Sequence, residues 1–233
     1  KSDDSDESRQ EPEPVVSRDW VYNWHTRLTG QGEVADAARR YLLEERGLNA
    51  AVLEMANVGL APQREIPNGN SWNGFHREEA DRVNWWITFP VARQGKEDRP
   101  IVFVKGIAFN PEAVDWERNE KGEKIPSNAG PVALWDLVPT EEDGSPRIDG
   151  PVLICEGEVD ALCALSHGFN AVTGTGGAKT FKTEWAPYIA DLTPAQERGV
   201  VVAYDGDEAG RDNAHETVAP KLHKAGIDVR VAP

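Results

Sequence analysis

The chain has 233 residues, 39% of them hydrophobic, enough for one large domain or two small ones with a real core. Forty acidic residues outnumber twenty-five basic ones for a net charge of −15. That charge excludes a general basic footprint, so any polyanion must be held by divalent metals and a few local cations. With two cysteines, Cys155 and Cys163, a multi-cysteine zinc site is excluded and reduced core thiols are expected.

Residues 1–18 are rich in Asp, Glu, Ser and Pro and read as a disordered acidic linker, which implies a preceding module in a longer protein. Their polar start carries no signal-peptide pattern, and no apolar run reaches the ~20 residues of a membrane helix, so a cytoplasmic protein without membrane contact is expected. Residues 19–150 are expected to form a smaller α+β subdomain. Within it, 19–62 read as helical: Val34, Ala37, Ala38, Tyr41 and Leu42 repeat at helical spacing, Gly47 supplies a stop, and Asn49 caps a second helix over 50–56. Residues 85–90 and 101–106 read as a strand pair joined by the polar turn 94–99. Residues 110–130 are charged and turn-rich, and 134–137 form a short apolar patch.

From 151 to 233 the cadence changes. Val152-Leu153-Ile154-Cys155 is a continuous apolar run, as in a strand buried on both faces. A helix is expected over 159–167, a strand over 171–173, a helix over 181–190, a strand over 199–204, a long helix over 208–225 and a strand over 227–231. This alternation predicts an α/β unit with a four-stranded, mostly parallel sheet flanked by helices.

In such sheets the working groups lie at the carboxyl ends of the strands. Glu156-Gly157-Glu158-Val159-Asp160 follows the first strand, and Asp205-Gly206-Asp207 follows the third. Asp205 and Asp207 are two apart, so an extended backbone turns both the same way, ~6.5–7 Å apart. Clustered carboxylates raise one another's pKa unless a cation joins them, and hard oxygen ligands select Mg2+ or Mn2+ over zinc. Gly157 and Gly206 are expected to let the chain turn and a phosphate approach. Either motif alone is open to a plainer reading, as acids that cap helices.

Residues 156–162 and 204–212, Glu-Gly-Glu-Val-Asp-Ala-Leu and Tyr-Asp-Gly-Asp-Glu-Ala-Gly-Arg-Asp, resemble the two signatures of the Toprim domain. That fold is shared by bacterial primases, phage primase-helicases, topoisomerases and certain nucleases. Asp-Gly-Asp-x-Ala-Gly-Arg resembles the primase form, as do residues 173–179 after the second strand. More loosely, residues 34–150 resemble the opening of the primase core.

The resemblance implies a DNA primase core that makes short RNA primers from NTPs on a single-stranded DNA template by two-metal phosphoryl transfer. It casts Glu156, Asp205 and Asp207 as catalytic metal ligands, with Asp160 in support. Lys105, Lys124, Asn128 and Arg211 become candidates for nucleotide or template phosphates, with Lys179 and Lys182 behind them. A replicative helicase and a zinc-binding module would be partners outside these 233 residues, and the family's further acidic motif after the fourth strand is missing from them. The rival readings are a Toprim-type metal-dependent nuclease, a non-priming Toprim domain of a helicase that binds DNA, and a recombination adaptor.

Overall fold

A computed structural model describes residues 14–62, 65, 72–73, 85–92, 100–111, 126–141 and 147–233. The described strands form two five-stranded sheets. The first carries helices α1 (Arg18–Thr29), α2 (Glu33–Arg40, continued by a wide turn over Tyr41–Glu45) and α3 (Ala50–Met55). Its strands are β1 (Gly59–Pro62), β2 (Trp72–Asn73), β3 (Trp85–Ala92), β4 (Ile101–Phe109) and β5 (Pro126–Ala129), in the order β1-β3-β4-β5-β2, all antiparallel.

Alternation along β3 and β4 sorts their side chains. Trp86, Val104 and Ala108 pack with Trp24 of α1 on one face. Ile87, Phe89, Val91, Phe103 and Phe109 face the other way. Both faces are covered, so the two strands read as nearly unbroken apolar runs. Pro90 stands opposite Val104 on β4 and lies beyond Thr88, the last residue of β3 that pairs with β1.

Two expectations for this half change. Residues 59–62, placed in the helical region, are the strand β1, buried throughout. A Cβ at Gly59 would lie 2.6 Å from the Cβ of Trp24, so glycine is what lets α1 lie so close on the strand. The linker expected over 1–18 also ends earlier: Val15 N–H donates to the Ile101 carbonyl at 2.8 Å, and Val16 is buried beside it. Residues 1–13 lie outside the described residues.

The second sheet comprises β6 (Leu134–Asp136), β7 (Val152–Cys155), β8 (Asn170–Gly174), β9 (Val200–Ala203) and β10 (Val229–Val231), in the order β10-β9-β7-β8-β6. Four strands are parallel as expected. The fifth, β6, runs antiparallel beside β8 and comes from the apolar patch before residue 151. The crossovers are α4 (Glu158–Ser166), α5 (Trp185–Ala190), α6 (Thr193–Arg198), α7 (Glu208–Asp212) and α8 (Ala219–Lys224). A wide turn over Asn213–Val218 joins α7 to α8 just ahead of Pro220, whose missing N–H disfavours an unbroken α-helix. The helix expected from 181 starts at Trp185, and α6, opened by Pro194, is an addition.

The two sheets share a core. Leu153 and Cys155 face the first sheet, where Leu162, Leu165 and Ala171 join Phe89 and Phe103. Val152 and Ile154 face Ile189, Val218 and Leu222 on the far side. Both cysteines are free thiols, and burial pushes Cys155 up to about 12, which makes it unreactive.

Candidate active site

β7 and β9 are neighbours with Cys155 opposite Ala203, so the residues after each strand emerge side by side. Glu156 leaves β7, and Asp205 follows β9 by two residues. The Asp205 backbone N–H donates to Oε2 of Glu156 at 3.3 Å. Glu156 sits above the usual glutamate range: partial burial raises it most, the Asp205 N–H pulls it down, and the charges of Asp205, Asp207 and Asp160 push it up. The four acids therefore share one electrostatic neighbourhood at the carboxyl edge of the sheet.

Their individual settings differ. Asp207 is the N-cap of α7, its Oδ1 accepting from the Gly210 N–H at 2.7 Å. Asp160, in the first turn of α4, folds its carboxylate back toward Gly157, with Oδ2 only 2.9 Å from where a Cβ there would be. Arg211 turns its guanidinium onto the Gly206 carbonyl and so ties the Asp205–Asp207 loop to α7. Lys179 lines an open hollow of about 510 Å³ together with Asp207, Glu208, Asp212 and Asn213.

Among the described residues, no three acidic, histidine or cysteine side chains close into a ready-made metal cage. The donor set is all carboxylate oxygen, and the mutual repulsion at Glu156 is what a cation would relieve. An open edge of carboxylates suits Mg2+, which takes one or two carboxylates per ion, keeps waters and shares its coordination with substrate phosphates.

The remaining candidates lie elsewhere. Lys105 on β4 is opposite Asn128 on β5, at the seam between the sheets. Lys182 lies over the Trp185 ring at 5.7 Å and lines a separate hollow with Pro131, Val132 and Tyr188. Lys124 lies outside the described residues.

Neither Gly157 nor Gly206 turns the chain through a positive φ. Gly157 is extended and makes room for Asp160, and nothing stands within 4 Å of a Cβ at Gly206. The glycine that the packing demands is Gly210, where a Cβ would lie 2.2 Å from the Asp205 carbonyl oxygen. Glu158, also given no role from sequence, is buried. Its place was readable: Glu158, Ala161, Leu162 and Leu165 follow the i, i+3, i+4, i+7 pattern of a helix's inner face.

Comparison with known proteins shows what the sequence and fold are similar to. Residues 153–233 match a family model described as Toprim-like. A DNA primase of Lactococcus lactis is 27% identical over 93% of this chain and 35% of its own length; the chain thus spans about a third of that relative. A solved DnaG catalytic core is 20% identical and superposes with a TM-score of 0.58 over 93% of this chain and 70% of that one. A DnaG primase catalytic domain bound to single-stranded DNA is likewise 20% identical, with a TM-score of 0.55 over 93% of this chain and 74% of that one. Residues 153–233 are therefore a Toprim-like domain, set in a chain that has the fold of the DnaG primase catalytic core and DNA primases as its relatives in sequence.

Proposed function

We propose that this chain is the RNA-polymerising core of a DNA primase, joining NTPs on a single-stranded DNA template. The observation that carries the reading is the convergence of Glu156 with the Asp205–Asp207 loop at the carboxyl edge of the parallel sheet. Glu156, Asp205 and Asp207 would hold the divalent cations, Mg2+ or Mn2+, with Asp160 adding negative charge from the first turn of α4. Bound there, the cations would acidify the attacking 3′-hydroxyl and neutralise the triphosphate.

The chain's own residues set that edge. The Asp205 N–H orients the Glu156 carboxylate, and the Gly210 N–H fixes Asp207. Gly206 leaves open space beside the acids, through which a phosphate can approach. Lys179, across the hollow from Asp207, is the described cation best placed for triphosphate oxygens. Arg211 serves the loop's shape first, through the Gly206 carbonyl. With a net charge of −15, template affinity is weak and depends on the metal. The single-stranded DNA in a relative of the same fold supports this choice of template.

The test is incubation of the chain with single-stranded DNA, NTPs and Mg2+ or Mn2+, with both nucleic acids labelled separately. New RNA that needs template and metal, and disappears in Asp205→Ala, is the expected result. Metal-dependent shortening of the DNA without new RNA would replace the reading with a nuclease.

A further inference from the structure

Glu158 lies between Glu156 and Asp160 yet faces the other way. It is 7% exposed and packs on the inner face of α4 with Ala161, Leu162 and Leu165. The surface it faces belongs to the first sheet. Lys105 on β4 stands opposite Phe89 on β3 and opposite Asn128 on β5, so Lys105 and Asn128 share the Phe89 face, which packs against α4. Burial drives the Glu158 carboxyl up, and the Lys105 ammonium is the charge that pulls it back.

Two acceptors at this seam are buried without a hydrogen-bond partner: Oε1 of Glu158 and Oδ1 of Asn128. Buried acceptors are normally satisfied. An ammonium has three donors on a flexible stem, enough to serve both. We propose that Lys105, Asn128 and Glu158 form a polar latch across the seam between the two sheets, with Lys105 and Glu158 acting as positioning residues for Glu156.

The latch works through short covalent links. Only Gly157 separates Glu158 from Glu156, so the rotation of α4's first turn fixes where the Glu156 carboxylate and Asp160 point. An apolar contact would hold α4 against the first sheet just as firmly but would tolerate sliding. A buried charge pair in such a latch would stabilise little, and fixing one register is the best-attested use of such groups. Lys105 is thereby assigned to the seam and withdrawn from the candidates for phosphate contact. The inference rests on the proposed function for what the positioning serves, but not for the existence of the latch.

The experiment compares the whole chain with Lys105→Met, Glu158→Gln and the double variant. In metal-free protein, Glu158→Gln should raise the melting temperature more in the Lys105→Met background than in the parent, because without the ammonium the carboxylate is a buried charge with no counterion. Equal shifts in the two backgrounds overturn the latch. For positioning, Lys105→Met should lower kcat for primer synthesis and Mn2+ affinity by roughly 10–100-fold, leaving single-stranded DNA affinity and the KM for template unchanged. Weakened DNA binding with kcat and Mn2+ affinity intact would make Lys105 a template contact and overturn the assignment. If the parent makes no primers at all, the proposed function fails, and the melting comparison and the Mn2+ titration still decide the latch.

Discussion

Replacing Gly210 with alanine sets two effects of opposite sign against each other. Alanine in place of glycine within a helix is ordinarily worth about 1 kcal/mol in favour of folding. At this position the new Cβ would meet the Asp205 carbonyl oxygen at 2.2 Å, its carbonyl carbon at 3.0 Å and its nitrogen at 3.1 Å. All three are backbone atoms, so no side chain can swing aside. Restoring an ordinary contact of 3.4 Å to the oxygen moves α7 and the Asp205 loop apart by about 1.2 Å. Overpacking of this kind costs about 1–3 kcal/mol, so the net effect is a loss of up to about 2 kcal/mol. For a chain of this size that lowers the melting temperature by up to roughly 8 °C. The displacement falls on the loop that carries Asp205 and Asp207, and a shift of about 1 Å at reacting groups costs on the order of 100-fold in rate. Thermal melting and primer synthesis by Gly210→Ala check both figures, with Gly206→Ala as the control for melting alone, since a Cβ at Gly206 meets nothing within 4 Å. A melting temperature at or above that of the parent, with synthesis within twofold, would refute the packing argument.

Two further outcomes follow from the same edge. Asp207→Asn keeps the cap on the Gly210 N–H and should melt close to the parent while losing synthesis. Asp207→Ala should lose synthesis and about 1 kcal/mol besides. Equal melting of the two variants would remove the capping role. Glu156 has a pKa raised above the ordinary 4.5, so the folded state favours its protonated form. Its stabilising effect is complete below pH 4.5 and is lost as pH rises through the folded value. Without divalent metal, Glu156→Gln should therefore melt higher than the parent at neutral pH. The gap should close toward pH 4.5 and shrink at neutral pH when Mg2+ is added. Melting curves across that range check the sign, and a variant less stable than the parent at neutral pH without metal would reverse it.

The parallel sheet was legible because its strands are buried on both faces and its crossovers are short: Val152–Cys155 and Val200–Ala203 announce themselves as apolar runs. The acids that follow them were legible because the carboxyl edge of such a sheet is fixed by topology. Harder to read was anything set by contact across the fold. Leu134–Asp136 joins the second sheet through a long-range pairing with β8 that three residues cannot signal. Gly59–Pro62 lacks the alternation of a half-exposed strand because it is buried on both sides. Lys105 was cast as a phosphate contact because sequence shows only a cation that interrupts an apolar strand, whereas the buried carboxylate that feels its charge, Glu158, is more than fifty residues on. In the second motif, Gly206 drew attention as the loop glycine, whereas the steric demand falls on Gly210, where helix meets strand end.

The central claim is that Glu156 and the Asp205–Asp207 loop share divalent cations, although they reach the edge on different strands. Mn2+ binding to the whole chain, followed by electron paramagnetic resonance with NTP present, tests it most directly. The account predicts that Glu156→Gln and Asp205→Asn each weaken Mn2+ binding, and that the double variant is scarcely worse than either, because both remove ligands from one site. Unchanged binding in either single variant, or losses that simply add, would contradict it.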